Sequence, residues 1–439
     1  MAEPLKVGLA GVGTVGSAVV DLLQQGREKL IARCGRPIEV VAVSARSRSK
    51  KRDIDLKKLR WFADPVELAA DPAIDVLVEV IGGAGDPAKA AIEAALSAGK
   101  PVVTANKALL ASHGPKLATL AERRGVALNF EASVAGGIPI VKTLREGLNG
   151  NTFARVYGIL NGTCNYILSR MEEDRLSFDE CLREAQRLGY AEADPSFDVE
   201  GHDTAQKLSI LASLAFGTKI DPKAVYVEGI SSITLADLDA AAELGYRVKL
   251  LGVAVRTDAG IEQRVHPTMV RKDSAIAQVM GVTNAVTVDA EGLAPITLVG
   301  PGAGGMATAS AVVSDLADIA RGVKTPPFGR PASRMTAVRK APMQRHEGGY
   351  YIRLLARDRP GSAATIARRL AQRQISLESI VQRHETRPGG EQPGRSGEPV
   401  PVILITYATT EDAVHKALAA VRRDRVISGR PQVIRIEKN

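Results

Sequence analysis

The chain has 439 residues, of which 45% are hydrophobic and 24% charged; this excludes a chain that is disordered throughout and, at typical domain sizes, indicates about three domains. The formal net charge is +9, but only 4% of the residues are aromatic and the basic residues of the tail are scattered, so we expect a solvated surface and no nucleic-acid partner. No stretch approaches the roughly 20 uncharged apolar residues that span a bilayer, and three widely separated cysteines argue against a disulfide framework or zinc finger, so we expect a cytoplasmic protein with no membrane partner.

The first 135 residues alternate predicted strands and helices. Apolar strands are expected to begin near Leu5, Ile38, Val76, Lys100 and Val126, with alanine-rich helices between the later ones. Near-continuous runs of Val, Ile and Leu joined by helices are typical of a parallel sheet covered on both faces. The sequence therefore predicts a Rossmann-like, doubly wound α/β domain over residues 1–135.

A glycine motif, GVGTVG, follows the first strand and opens a helix. Gly11, Gly13 and Gly16 permit a tight turn and a close backbone approach, and the helix N-terminus offers free N–H groups to a pyrophosphate. A packing turn is the alternative. The strand–loop–helix context favours a dinucleotide, and the residues expected to bind it are Gly11, Val12, Gly13, Thr14, Val15 and Gly16.

The second predicted strand ends in basic residues. A site that prefers NAD carries an acidic residue there, whereas this chain has Arg46 followed by four further Lys or Arg residues up to Arg52. Guanidinium groups attract a 2′-phosphate, so Arg46 indicates NADP, with NAD as the alternative cofactor. A solvated basic loop would give the same pattern.

Lys107 closes the motif TANK at the end of a later strand. Ligands bind at the carboxyl ends of parallel strands in this architecture, so Lys107 could lie beside a cofactor phosphate or a reacting oxygen. A surface lysine at a helix start is the alternative, with even weight.

Residues 136–325 read as an α+β domain. Strands are expected from Phe153 and around Val253 and Val286, and their sheet could pair with a second subunit through its open face. Ser177 and Glu180 form a capping box for one helix, and residues 202–216 form another. A glycine loop at Gly302 leads into a helix, near residues 305–322, that could return to the first domain.

Acidic residues cluster between Leu188 and Leu208. They are Glu192, Asp194, Asp198, Glu200 and Asp203. Lys207 follows Asp203 by four residues, so both lie on one helical face. A routine surface ion pair and a metal site are alternatives, but a substrate with an ammonium group would explain the acids, and a lysine beside a carboxylate can move a proton.

The tail follows a predicted linker over residues 326–348. Residues 349–439 read as strand–helix–strand–strand–helix–strand, a βαββαβ module. Between its middle strands, residues 386–399 are rich in Pro and Gly, which predicts a mobile hairpin loop.

Together these motifs resemble the homoserine dehydrogenase family, in its monofunctional bacterial form with a C-terminal ACT domain, over essentially the whole chain. The motifs are GVGTVG from Gly11, TANK from Thr104, EASVAGGIPI from Glu131, NGTCNYIL from Asn161, GYAEADPSFDVEGHDTAQKL from Gly189 and GAGGMATASAV from Gly302. The resemblance implies NAD(P)-dependent reversible reduction of L-aspartate 4-semialdehyde to L-homoserine, on the route to threonine, methionine and isoleucine.

The resemblance also implies roles for single residues. Lys207 would be the acid/base at the hydroxyl oxygen, Asp203 would orient it, and Lys107 would lie beside the nicotinamide. Glu192 would hold the substrate ammonium, and the residues around the substrate would be Glu192, Asp198, Gly162, Thr163 and Tyr190. Gly302 would approach the cofactor.

A sodium ion and an effector are implied as well. The sodium ligands would largely be backbone carbonyls, from Glu131, Val134, Gly136 and Ile138. Asp358 and Gly361 lie in the turn where ACT domains often hold an amino acid at a dimer interface, and threonine is the implied inhibitor. We expect a homodimer or homotetramer.

Two rival functions remain at this point. 3-Phosphoglycerate dehydrogenase also combines a dinucleotide domain with an ACT domain, but usually has a long segment before its glycine motif. A cofactor-binding transcriptional regulator would need a helix-turn-helix, and we find none in the sequence.

Overall fold

The computed structural model describes residues 2–50, 52, 54–343, 346–382 and 399–437. The first domain contains strands β1 (Leu5–Ala10), β2 (Ile38–Ser44), β3 (Arg60–Phe62), β4 (Val76–Glu79), β5 (Val102–Thr104) and β6 (Leu128–Asn129). Its helices are α1 (Thr14–Gln25), α2 (Arg27–Cys34), α3 (Pro65–Ala70), α4 (Ala88–Ser97) and α5 (Lys107–Arg124).

All six strands pair in parallel in the order β3-β2-β1-β4-β5-β6. Apolar residues of α1 pack on one face of this sheet, and those of α3, α4 and α5 pack on the other. The predicted doubly wound α/β domain is therefore confirmed. The sequence did not predict β3, because a three-residue edge strand leaves too short a pattern.

The central part of the chain contains α6 (Ile140–Lys142), β7 (Phe153–Ile159), α7 (Gly162–Asp174), α8 (Phe178–Arg187), α9 (Ser196–Val199), α10 (His202–Phe216), β8 (Tyr226–Val227), α11 (Leu235–Glu243), β9 (Tyr246–Thr257), β10 (Gly260–Arg271), β11 (Thr283–Ala290), β12 (Ile296–Pro301) and α12 (Gly305–Ala320). Both halves of the Ser177–Glu180 capping box are present. Helix α12 packs on the first domain, where buried Val312 and Leu316 join the core beneath α1.

The C-terminal part contains β13 (Glu347–Arg357), α13 (Ser362–Ala371), β14 (Leu377–Gln382), β15 (Pro399–Thr406), β16 (Thr409–Thr410), α14 (Glu411–Arg423) and β17 (Ile427–Ile436). Apart from the short β16, this is the predicted βαββαβ order. Residues 386–398 of the predicted hairpin loop lie outside the described residues.

The central and C-terminal strands form one sheet. Its order is β12-β11-β7-β9-β10-β17-β13-β15-β14, and β10 pairs in parallel with β17 where Thr268 faces Arg435. The sequence did not predict this junction, since strand pairing between distant segments leaves no local pattern. The predicted linker also packs closely, with Phe328 buried against Phe130 at 5.2 Å between ring centroids. Across the described ranges, no helix has both the length and the apolar character needed to cross a bilayer.

Candidate active site

The glycine motif has the geometry that a bound phosphate group requires. Gly11 has φ +103°, and a Cβ there would lie 2.7 Å from the carbonyl oxygen of Val80. A Cβ on Gly16 would lie 2.1 Å from the carbonyl oxygen of Gly11, whereas Gly13 faces open space. No side chain caps the N-terminus of α1 at Thr14, so its N–H groups can receive an anion. These residues fit the pyrophosphate of a dinucleotide.

A basic loop follows β2, and one of its arginines contacts the glycine motif. Arg46 is exposed at the end of β2. Arg52 instead donates from Nε to the carbonyl oxygen of Val12 at 2.9 Å, and its guanidinium lies 5.7 Å from the ring centre of Trp61. The other two guanidinium nitrogens of Arg52 donate to the carbonyl oxygens of Lys50 and Ser47 at 2.9 Å, so Arg52 holds the loop against the motif.

A buried carboxylate organises the ends of β4 and β5. Glu79 accepts the amide of Ile81 at 2.8 Å and the hydroxyl of Thr104 at 2.6 Å. The hydroxyl of Thr104 accepts the amide of Asn106, whose side chain caps α5. Lys107 is thereby fixed as the first residue of that helix. Sequence reasoning missed Glu79, although a lone acid inside the apolar run VLVEV was a signal.

The two predicted lysines meet at one carboxylate. The Nζ atom of Lys207 lies 2.8 Å from Oδ2 of Asp203, and the Nζ atom of Lys107 lies 3.2 Å from Oδ1. Lys207 also donates to the carbonyl oxygen of Leu160 at 2.8 Å. Because Lys107 belongs to the first domain and Asp203 to α10, this cluster joins the two domains. The structure thus brings together all three residues predicted to be catalytic.

Asn161 connects the acidic residues, and sequence reasoning did not single it out. Its Nδ2 donates to Asp198 at 2.8 Å and to Asp203 at 2.9 Å, while its Oδ1 accepts the amide of Cys164 at 2.9 Å. Asn is a favoured N-cap residue, so its place at the start of NGTCNYIL predicts a helix cap. Only the tertiary structure shows that the same side chain binds two carboxylates.

Burial and charge give the two aspartates different protonation behaviour. Burial opposes ionisation of Asp203, but Lys207 and then Lys107 lower its pKa to about 2. Burial, and then the charge of Asp203, raise the pKa of Asp198. Burial raises the pKa of the Cys164 thiol well above its usual value, so this cysteine is no nucleophile. The site therefore holds a fixed negative charge between two lysines.

The other predicted substrate residues lie at the start of α7 and on the loop between α8 and α9. The hydroxyl of Thr163 donates to the carbonyl oxygen of Tyr190 at 2.7 Å. Tyr190 is 44% exposed and its ring packs on Tyr166, while Glu192 is exposed on the same loop. Gly162 lies against the carbonyl oxygen of Val282, where a Cβ would come within 2.8 Å.

A cleft of about 270 Å³ connects the glycine motif to the lysine cluster. Its walls come from the start of α1, the ends of β4 and β5, the loop after β6, the loop before α12, and α10. The residues that line it are Val15, Val80, Ile81, Gly82, Ala105, Asn106, Lys107, Ala132, Ser133, Val134, Lys207, Gly302, Ala303 and Thr308. A ligand held at the glycine motif would therefore extend toward Lys107 and Lys207.

The predicted sodium loop borders this cleft. Gly136 has φ +54°, and a Cβ there would lie 2.6 Å from the carbonyl oxygen of Gly302. The buried carboxylate of Glu131 accepts the amide of Val141 at one oxygen and the amide of Lys142 at the other, both at 2.8 Å. In the part of the chain that is described, no group of three or more His, Cys, Asp or Glu side chains could hold a metal ion. That finding does not concern a site built from backbone carbonyls.

The predicted regulatory residues lie in one turn after β13. Gly361 has φ +88° and precedes α13, and Asp358 is half-buried in the same turn. Ser362 donates its amide to the carbonyl oxygen of Arg359 at 3.1 Å, which closes the turn.

Comparison with known proteins gives consistent matches over the whole chain. Residues 139–317 match the homoserine dehydrogenase family model, residues 11–131 match the model of the NAD-binding domain of homoserine dehydrogenase, and residues 350–423 match the ACT domain. A homoserine dehydrogenase from Pseudomonas aeruginosa is 44% identical over 99% of both chains.

Solved structures agree with these matches. The crystal structure of a homoserine dehydrogenase from Thiobacillus denitrificans has a TM-score of 0.91 and 42% identity, and it covers 99% of this chain and 98% of its own. A hyperthermophilic archaeal homoserine dehydrogenase in complex with NADPH has a TM-score of 0.62 and 27% identity over 72% of this chain and 97% of its own.

Proposed function

The chain belongs to the homoserine dehydrogenase family, and from this premise we propose that it interconverts L-homoserine and L-aspartate 4-semialdehyde with a nicotinamide cofactor. It is an oxidoreductase with an NAD-binding domain and a C-terminal ACT domain. The observation that carries the proposal is the position of Asp203 between Lys107 and Lys207, beside a cleft that begins at the glycine motif.

When bound, the nicotinamide cofactor would supply the hydride chemistry, as acceptor for the alcohol and donor for the aldehyde. The residues of the glycine motif would hold its pyrophosphate, and Lys107 and Gly302 would lie near its nicotinamide end. Arg46, which is exposed just after β2, would meet a 2′-phosphate. NADP is therefore the proposed cofactor, and NAD the alternative.

Lys207 performs the proton transfer in this proposal. As an ammonium it gives a proton to the developing alkoxide oxygen, and its charge stabilises that oxygen as it forms. Asp203 keeps the amine in place and stays ionised, which offsets the two neighbouring ammonium charges. Lys107 directs a second N–H donor to the same region from the first domain.

The acidic loop would bind the amino group of the substrate. Glu192 is exposed and carries a carboxylate on this loop, and Asp198 lies within hydrogen-bonding distance of Asn161. Gly162, Thr163 and Tyr190 would form the surrounding wall. An amino alcohol with a free ammonium group matches this charge.

Sodium, threonine and self-association complete the proposal. Backbone carbonyls of Glu131, Val134, Gly136 and Ile138 would bind the sodium ion beside the cleft. Threonine would bind near Asp358 and Gly361 and inhibit the enzyme, as an end product of the pathway to threonine, methionine and isoleucine. A homodimer or homotetramer would form through the open face of the central sheet and the ACT domain.

Steady-state assays of the purified protein test this function. We expect L-homoserine to reduce NADP, more efficiently than NAD, with loss of rate when threonine is added or when sodium is replaced by a choline salt. 3-Phosphoglycerate serves as the control substrate and should give no turnover. Absence of homoserine oxidation with either cofactor would contradict the proposed activity, whereas an insensitive rate would contradict only the effector or sodium assignment.

A further inference from the structure

A buried arginine joins the C-terminal module to the central domain. Arg435 on β17 has only 2% of its surface exposed. Its Nε donates to Glu411 of α14 at 3.0 Å, and its Nη1 donates to Glu228 of the central domain at 2.5 Å. Tyr226, two residues before Glu228, also accepts a hydrogen bond from Arg435 at 3.3 Å. Arg435 therefore fixes residues 226–230, which we term the bridging segment, to the C-terminal module.

The opposite side of the bridging segment packs on the chain between α9 and α10. A Cβ on Gly229 would lie 2.4 Å from the carbonyl oxygen of Val199 and 2.5 Å from the Cα atom of Glu200. Ile230 donates its amide to the carbonyl oxygen of Val199 at 2.9 Å. The two backbones are in direct contact here, with no room for a side chain between them.

A second contact lies one step further along. Gly201 has φ +85° and precedes α10. A Cβ on Gly201 would lie 3.2 Å from Val227 and 3.5 Å from the carbonyl oxygen of Glu228. The whole turn over residues 199–201 thus rests on the bridging segment.

This turn lies between the two aspartates of the active site. Asp198 precedes it in α9, and Asp203 follows it in the first turn of α10. Both carboxylates accept hydrogen bonds from Asn161, so a displacement of the turn changes distances that the site depends on.

We propose that Arg435 and Glu228 are positioning residues for the active site: through the bridging segment they hold the turn over residues 199–201, and so the separation of Asp198 and Asp203. The inference rests on the proposed function.

The test introduces a small displacement at the contact itself. Gly229→Ala places a methyl group against Val199 and Glu200, and the φ of Gly229 lies outside the left-handed region, so only the contact is strained. Gly150→Ala is the matched control, because a Cβ at Gly150 meets nothing within 4 Å. Glu228→Gln removes one charge from the junction while Arg435 keeps Glu411. The readouts are kcat/KM for L-homoserine, Kd for NADP and the melting temperature.

We expect Gly229→Ala to lower kcat/KM for L-homoserine about tenfold, since displacements below 1 Å from a remote change have effects of this order. Glu228→Gln should lower the same parameter by a smaller factor, and Gly150→Ala should not. The Kd for NADP should stay within about twofold of the wild-type value in all three, because the first domain forms that site. If the wild-type protein is active, two results would overturn the inference alone. One is a folded Gly229→Ala variant with unchanged homoserine kinetics, and the other is a Gly229→Ala variant that loses NADP binding by the same factor as kcat/KM. An inactive wild-type protein would overturn the proposed function and the inference with it.

Discussion

Asp203 is a single carboxylate that serves two domains. It is 4% exposed and lies within 3.2 Å of the amines of both Lys107 and Lys207. A buried charge is costly unless it is paired and hydrogen-bonded, and here the pairing also decides where the proton-carrying amine of Lys207 lies. The opposing lysine charges lower the pKa of Asp203 to about 2 despite burial.

This pKa makes a prediction about pH. Because Asp203 stays ionised at all pH values above about 4, the wild-type pH–rate profile between pH 5 and 9 should show no loss of activity from its protonation, and Asp203→Asn should lower kcat/KM for L-homoserine by about 10²-fold at neutral pH. Parallel pH–rate profiles of the two proteins check both expectations. An acidic limb above pH 5 that is present in the wild-type profile and absent from that of Asp203→Asn would mean that wild-type Asp203 gains a proton in that range, which contradicts the assignment.

At the level of single residues, the sequence predicted the charged groups but not what holds them. Lys207 and Asp203 were found because their spacing places them on one helical face. Asn161 and Glu79 were missed because their partners are distant in sequence: the carboxylate of Asp203 is 42 residues from Asn161, and the hydroxyl of Thr104 is 25 residues from Glu79.

Among the elements, α7 begins at the centre of the site. Asn161 accepts the amide of Cys164 as the helix cap and donates to both aspartates, so the start of the helix and the geometry of the acids depend on one side chain. Helix caps contribute about 1 kcal/mol, and hydrogen bonds to charged groups about 1.5–3 kcal/mol.

Asn161→Ala should therefore affect both activity and stability. We expect kcat/KM for L-homoserine to fall by about 10²-fold, because Asp198 and Asp203 both lose the donor that they share. The free energy of unfolding should fall by about 1–3 kcal/mol. Asn149→Ala, at an exposed position, is the control. A variant as active as wild type would show that the aspartates do not need Asn161.

Element boundaries followed the sequence closely where periodicity was long. The helix over residues 202–216 and the strand from Leu5 have the expected positions. The return of α12 was expected from its glycine loop, and its apolar residues Val312 and Leu316 lie in the core of the first domain. The edge strand β3 was not expected from the sequence, because its three residues carry no alternation that distinguishes a strand from a loop.

At the scale of the whole molecule, the C-terminal module is joined to the central domain by strand pairing and by charged side chains, in addition to the covalent linker. The sheet continues from β10 to β17, and Arg353 of the module donates to buried Asp237 at 2.7 Å and 3.0 Å. Asp237 also closes the capping box of α11 with Thr234. The central domain and the C-terminal module therefore share both a sheet and a buried ion pair, and each should stabilise the other.

Calorimetry should detect this dependence. We expect the central domain and the C-terminal module to unfold in one transition, because separating β13 and β17 from the central domain leaves Asp237 without Arg353 and Glu228 without Arg435. Asp237→Asn should lower the melting temperature of that transition, and the central domain and the C-terminal module should still unfold together. A separate, earlier transition of the C-terminal module in the wild-type protein would contradict a shared sheet in solution.

The most direct test of the account concerns Lys207. If its amine carries the proton to and from the substrate oxygen, Lys207→Ala should lower kcat by about 10²–10⁴-fold, the usual contribution of a positioned acid or base. The Kd for NADP should change little, since the glycine motif holds the cofactor. We would measure kcat at saturating L-homoserine and, separately, the Kd for NADP. The account predicts that kcat falls by this factor while the Kd stays nearly unchanged. Turnover near the wild-type rate in Lys207→Ala would contradict it.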